Sequence, residues 1–149
     1  MKVILGADHR GFALKQRILE SLASKGHEIV DMGAYEVDLN DDYTVFAEKV
    51  AREVSQDAQN RGILLCGSGV GVDIVANKID GVRASIGLSA EQVMAGRADD
   101  DMNILVIAAE YTQEEAVWGL VESFLNTEFD GKESHKRRLM DIEEIEKTN

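Results

Sequence analysis

The 149-residue chain is 44% hydrophobic and 30% charged, the balance of a soluble globular protein long enough to bury a core. Its net charge of -12 excludes nucleic acid and anionic membrane surfaces as partners of the whole molecule, so any anionic ligand needs a local cluster of cations. The single cysteine excludes an intrachain disulfide and a cysteine-based zinc site, and it fits a reducing cytoplasm.

The first strand is expected at Lys2–Gly6. It starts almost at the first residue, so no signal peptide is expected. Leu14, Ile18 and Leu22 then fall at i, i+4 and i+8, one apolar face of a helix. A second strand is read at Glu28–Met32. A second helix follows on Phe46, Val50 and Val54. The third strand, Gly62–Cys66, runs into Gly67-Ser68-Gly69-Val70-Gly71, and the stripe Val72, Val75, Ile79 marks a helix behind it. Val82–Ile86 is the fourth strand. Ala90 and Met94 mark a weaker fourth helix, and Asn103–Ala108 is the fifth strand. Ala116, Leu120 and Phe124, with Val117, Val121 and Leu125 beside them, define a strongly buried fifth helix. A last helix over about 134–147 carries Leu139, Ile142 and Ile145 on one side.

The strands are continuous apolar runs, as strands covered on both faces are. Their alternation with helices predicts an α/β fold: a Rossmann-like three-layer α/β/α sandwich on a five-stranded parallel sheet, with an extra C-terminal helix. Residues 1–149 read as a single domain, whose last helix covers its own surface or packs on a partner subunit. Gly26, Gly62 and Gly81 stand where helices end and strands begin. No apolar run approaches the ~18 residues of a membrane span.

In an open parallel sheet ligands bind beyond the carboxyl ends of the strands. This edge collects Asp8 and His9 after the first strand, Cys66 and the glycine loop after the third, and Gly87 to Ser89 after the fourth. Asp99, Asp100 and Asp101, before the fifth strand, are grouped with them. Cys66 is either a small buried hydrophobe or a base, and a helix N-terminus of the kind that follows it stabilises a thiolate. The glycine loop is either a tight turn or a nest of N–H groups that holds an oxyanion, with the Ser68 hydroxyl as a further donor. It lacks the spacing of a dinucleotide fingerprint and the lysine of a P-loop. Asp8 and His9 either cap a helix or bind sugar hydroxyls and move protons. The run His135-Lys136-Arg137-Arg138 puts cations in the first turn of a helix, where the macrodipole disfavours them, unless an anion such as phosphate docks there.

The segments Gly6-Ala7-Asp8-His9-Arg10-Gly11-Phe12, Asp42-Tyr43, Cys66–Gly71, Ala76-Asn77-Lys78, Gly81–Ala84 and Asn103-Ile104-Leu105 occur in one order. With them the chain resembles the type B ribose-5-phosphate isomerases, the family that includes the galactose-6-phosphate isomerase subunits. The resemblance spans residue 2 to about residue 145. It implies a homodimer or dimer of dimers with active sites completed across the subunit interface. It also implies a metal-free, cofactor-free aldose–ketose isomerisation of a sugar phosphate, ribose 5-phosphate first, through a cis-enediol.

On this resemblance Cys66 is the base and Gly67, Ser68, Gly69, Val70 and Gly71 hold the enediolate. Asp8, His9 and Tyr43 lie near the sugar, and Arg138 binds phosphate. The chain departs from the family pattern where Asp99-Asp100-Asp101 replaces His-Asn-Asp, so Asp99 is the candidate for the ring-opening acid, with Asp100 beside it and His9 as its substitute. Glu110 and Ser134 stand where arginines are common, and Lys136, Arg137 or Arg10 are the compensating cations. These departures keep open the same chemistry on a tetrose, another pentose or a hexose phosphate, and a non-catalytic sugar-phosphate binder.

Overall fold

The computed structural model describes residues 1–148. Its centre is a five-stranded sheet, all parallel: β1 (Lys2–Ala7), β2 (Glu28–Asp31), β3 (Arg61–Cys66), β4 (Ala84–Ile86) and β5 (Ile104–Ala108), in the spatial order β2-β1-β3-β5-β4. Six helices complete it: α1 (Phe12–Ser24), α2 (Tyr43–Ser55), α3 (Val70–Ala76), α4 (Ala90–Asp100), α5 (Glu114–Asn126) and α6 (Glu133–Thr148). This is the α/β/α sandwich that the alternation predicts. Among the described residues no helix is long and apolar enough to cross a membrane.

Right-handed crossovers decide which helix covers which face. From β1 the chain steps outward to β2, so α1 lies on one face. From β2 to β3, and from β3 to β4, it steps the other way, so α2 and α3 lie on the opposite face. From β4 it steps back to β5, returning α4 and α5 to the side of α1. The two cores follow with the period of two that strands impose. Val3, Leu5, Ile63, Leu65, Leu105 and Ile107 pack on Ile18, Leu22, Val93, Leu120 and Phe124. Ile4, Leu64, Cys66, Ile104 and Val106 pack on Val50, Val54, Val72 and Ala76.

The chain diverges to opposite faces after β1 and after β3, which are neighbours in the sheet. The carboxyl ends of these two strands therefore flank an open crevice, the topological switch point.

Gly62, read from the sequence as the start of the third strand, is the second residue of β3, in a spot where a side chain would press on Ile104 and Val54. In α4 the buried positions are Val93 and Arg97, while Met94 is exposed. Arg97 is only 1% exposed, and three of its guanidinium N–H groups are paired: Nη1 donates to Asp101 Oδ1 (2.7 Å) and Met102 O (2.6 Å), and Nε to Thr127 O (3.1 Å). A charge so satisfied counts as core. Finally, α6 has no buried residue; Met140 and Ile145 are exposed, and one of its ties to the body is Gly81 N–H donating to Glu146 Oε1 (2.9 Å).

Arg97→Met is expected to cost about 2–4 kcal/mol, since two carbonyls lose their donor while Asp101 keeps Arg83 as a partner. Urea unfolding should show a lower midpoint at unchanged slope. An unaltered midpoint would mean that water replaces the guanidinium without loss.

Candidate active site

The crevice between β1 and β3 gathers the first group of candidates. Cys66 ends β3, faces the α2–α3 side and is 4% exposed. Its Sγ accepts a hydrogen bond from Gly69 N–H at 3.2 Å. That N–H is aimed by the left-handed backbone of Gly69 (φ +78°), a conformation that glycine adopts without strain. Ser68 is exposed, and its Oγ accepts from Val70 N–H at 3.3 Å. Gly71 lies against the ring of Tyr43, so the first residue of α2 stands over the loop. The Arg10 guanidinium covers Gly67, in the space that a side chain there would fill.

Asp8 is 5% exposed and caps the turn into α1: its Oδ1 accepts from Arg10 N–H and Gly11 N–H, both at 3.0 Å. The N-cap of α1 is Gly11, with no side-chain cap bond, so Asp8 closes the turn ahead of the helix rather than capping the helix itself. His9 behaves differently. Both its backbone N–H (3.2 Å) and its Nδ1 (2.6 Å) meet Asp41 Oδ1. The hydrogen bond from His9 to Asp41 raises the His9 pKa above its ordinary value, with the Asp41 and Asp8 charges adding to it against burial and Arg10. Asp41 is not among the residues that the sequence singles out. It sits 32 residues from His9 in an irregular segment, and only the acidic pair Asp41-Asp42 ahead of the α2 pattern signals a cap there.

The His9–Asp41 pair is strongest with His9 charged. Its stabilisation is complete below the ordinary histidine pKa and is lost as pH rises through the raised folded value. Asp41→Asn is expected to lower the His9 titration midpoint toward that of a free histidine, read from its imidazole carbon shifts by NMR. An unmoved midpoint would remove Asp41 as the cause.

Glu110, just past β5, pairs with Arg10: Nε donates to Oε1 at 2.7 Å and Nη2 to Oε2. The pair occupies Arg10, so this arginine is not a free cation for phosphate. It holds Glu110 below the usual carboxylate range.

The second group does not join the first within the chain. Residues ahead of β5 lie at the amino edge of the sheet, because Ile104 pairs with Gly62 and only Ala108 with Cys66. Four residues of strand, roughly 13 Å, separate those levels. Grouping Asp99, Asp100 and Asp101 with the carboxyl edge is thereby corrected. Asp99 and Asp100 end α4 and border a cleft of about 320 Å³ shared with Arg83, Ser85 and Gln92. Asp101 is spent on Arg97 and Arg83. In the neighbouring first turns of α6, Lys136 pairs with Glu133 at 2.9 Å. Arg137 and Arg138 are exposed and make neither ion pair nor hydrogen bond among the described residues.

Two clusters have metal-ligand spacing, Asp8–His9–Asp41 and Asp99–Asp130–His135. Part of their oxygens is engaged already: Asp8 Oδ1 by two backbone N–H groups, Asp41 Oδ1 by His9, and Asp130 by Lys132 and His135, while Asp41 Oδ2 is buried without a partner among the described residues. Both read as hydrogen-bonded clusters before they read as cation cages.

A doubly wound α/β sandwich with a thiol, an imidazole and a glycine loop at its switch point defines a small-molecule enzyme rather than a scaffold. Residues 3–142 match the ribose/galactose isomerase family. Ribose-5-phosphate isomerase B of Mycobacterium tuberculosis is 37% identical over 150 residues, covering 100% of this chain and 92% of its own length. The crystal structure of ribose-5-phosphate isomerase B from Mycoplasma genitalium with bound ribulose-5-phosphate is 36% identical, with a TM-score of 0.94 over 99% of this chain and 97% of that one. The type B ribose 5-phosphate isomerase of Trypanosoma cruzi superposes with a TM-score of 0.94 at 32% identity, over 100% of both chains. The chain belongs to the ribose/galactose isomerase family and is an isomerase.

Proposed function

We propose that the protein interconverts ribose 5-phosphate and ribulose 5-phosphate through a cis-enediol, with Cys66 as the base and without a metal or cofactor. The observation that carries this reading is Cys66 itself: a sulfur at the switch point, set in place by the Gly69 N–H of a loop that also bears Ser68 and lies against Tyr43 at Gly71. The Cys66 thiolate removes the C2 proton of the open-chain aldose. Charge then develops on O1 and O2. The loop N–H groups from Gly67 to Gly71 and the Ser68 hydroxyl oppose it, and the gain is greatest where water is excluded. The O2 proton passes to O1 in the enediolate, and the same sulfur returns the carbon proton to C1, leaving the C2 carbonyl. Charged His9, held by Asp41, faces the sugar oxygens as a donor, and Asp8 keeps the turn that presents it.

The other half of the site comes, on this reading, from a second copy. Among the described residues Arg137 and Arg138 pair with no anion, Lys136 precedes them in α6, and Asp100 ends α4. A dimer that lays α6 and the end of α4 over the partner's Cys66 crevice supplies the phosphate with its cations.

The test is a ketose assay with ribose 5-phosphate in the presence of a chelator, beside tetrose and hexose phosphates. Turnover of the pentose phosphate that a chelator leaves unchanged is the expected result. Preference for another sugar phosphate would move the reading to that sugar, and the Glu110–Arg10 pair, which withdraws one cation from the crevice, is the observation that favours such a shift.

A further inference from the structure

His135, in the first turn of α6, is a partly hidden imidazole that the Cys66 half-site does not use. Its side chain is 12% exposed. Its Nδ1 lies 2.9 Å from Asp130 Oδ1 and 3.7 Å from Asp99 Oδ1. Asp130 is itself fixed: Oδ1 accepts Lys132 N–H at 3.0 Å, Oδ2 meets Lys132 Nζ at 2.8 Å, and its own N–H donates to Ala98 O at 3.0 Å. These bonds, that of the Lys132 side chain first, hold the Asp130 carboxyl well below the usual range, so it stays ionised. A carboxylate on Nδ1 keeps a proton there and leaves Nε2 as the working nitrogen. Among the described residues Nε2 has no hydrogen-bond partner. An imidazole held this way is built to carry a proton.

We propose that His135 is the catalytic acid–base that opens the cyclic sugar phosphate, with Asp130 and Asp99 as the carboxylates that position it. The proposal rests on the isomerase reading above, including a second copy that brings α6 to the Cys66 crevice. The sequence alone points to Asp99 for this task. Asp99 lies on the Nδ1 side of the imidazole at 3.7 Å, whereas His135 Nε2 is left without a partner among the described residues. The geometry therefore gives the proton to His135 and leaves Asp99, half exposed, as its neighbour.

In the step, Nε2–H gives its proton to the ring oxygen O4 as the C1–O4 bond breaks. The electron pair of the O1–H bond becomes the second bond of the C1 carbonyl. The O1 proton passes to water, and water returns one to Nε2. No proton or electron is gained or lost overall.

The two halves of the reaction can be read separately. Ribulose 5-phosphate has its C5 oxygen blocked by phosphate and forms no furanose, so its conversion to the enediol needs no ring opening. His135→Asn keeps an amide donor toward Asp130 and removes the titrating nitrogen. It is expected to lose about a hundredfold or more of turnover from ribose 5-phosphate. In D2O it should still exchange the C1 proton of ribulose 5-phosphate at close to the wild-type rate, followed by NMR. The exchange also reports that the variant is folded, and His135→Gln serves the same comparison if the asparagine variant is not. Equal loss of turnover and exchange in a folded variant would overturn the proposal in favour of a binding role, and retention of both would overturn it outright. A wild-type enzyme inactive on both pentose phosphates would sink the substrate reading first and this proposal with it.

Discussion

Cys66→Ala is expected to abolish isomerisation, with a loss of about a thousandfold or more in kcat, while the protein stays folded. The substitution removes one sulfur atom and leaves Cβ in place. Cys66 lies at the end of β3, at the margin of the core that includes Val72 and Val106, so the packing loss is of the order of 1 kcal/mol. The only hydrogen bond forfeited is the one from Gly69 N–H. That N–H then faces the crevice, where it meets water or substrate. The chemical loss is of another order, because no other group at this edge replaces the base. Ser68 is a hydroxyl without a neighbouring base to activate it, Asp8 is tied to two backbone N–H groups, and His9 is held by Asp41. Ketose formation should vanish, and thermal melting should move by only a few degrees. Activity within tenfold of wild type would transfer the proton to another group and end the assignment of Cys66. Cys66→Ser, which keeps the shape and a weaker acceptor, should recover little of the loss.

Much of this half-site is legible in the sequence. An apolar run that stops at a cysteine and opens into alternating glycines can only be a strand end, a turn and a helix start, and local chemistry fixes all three. The strand order is not legible in that way. Nothing within β4 or β5 says that β5 inserts beside β3; the crossovers decide it, and those depend on packing between distant elements. Asp41 is hidden for a related reason, since its partner His9 is reached only when the segment before α2 folds back over β1. Asp99 shows a different failure. Its type and its place before a strand are visible, but a residue that precedes a parallel strand stands at the edge opposite to one that follows it. The sequence singles these residues out and sets them at the wrong edge. Arg97 goes unremarked in the sequence because a hydrophobic pattern does not count an arginine, and only its acceptors Asp101, Met102 and Thr127 let it lie in the core.

Placing the two half-sites at opposite edges of one sheet makes the subunit boundary testable by mixing. Cys66→Ala keeps the cations of α6 but lacks the base. Arg138→Ala keeps the base but lacks a phosphate partner, and should be impaired mainly through KM, since a lost charge-assisted contact to phosphate weakens binding by about tenfold or more. Arg138 is exposed and has no ion pair or hydrogen bond among the described residues, so its removal should leave the fold unaffected. If each site takes Cys66 from one copy and Arg138 from the other, a hybrid dimer of the two variants has one site with both defects and one with neither. Unfolding the variants together and refolding them at equal amounts should therefore restore about a quarter of wild-type activity at low substrate, because half of a random mixture is hybrid and each hybrid has one intact site. The separate variants, refolded alone, should stay at their own low levels. If both residues of a site belonged to the same copy, the hybrid would contain one site without the base and one without the arginine. The mixture would then show only the average of the two parents. That outcome would place Arg138 in its own chain's site, which the parallel register does not allow without moving α6 from the amino edge of the sheet to the carboxyl edge.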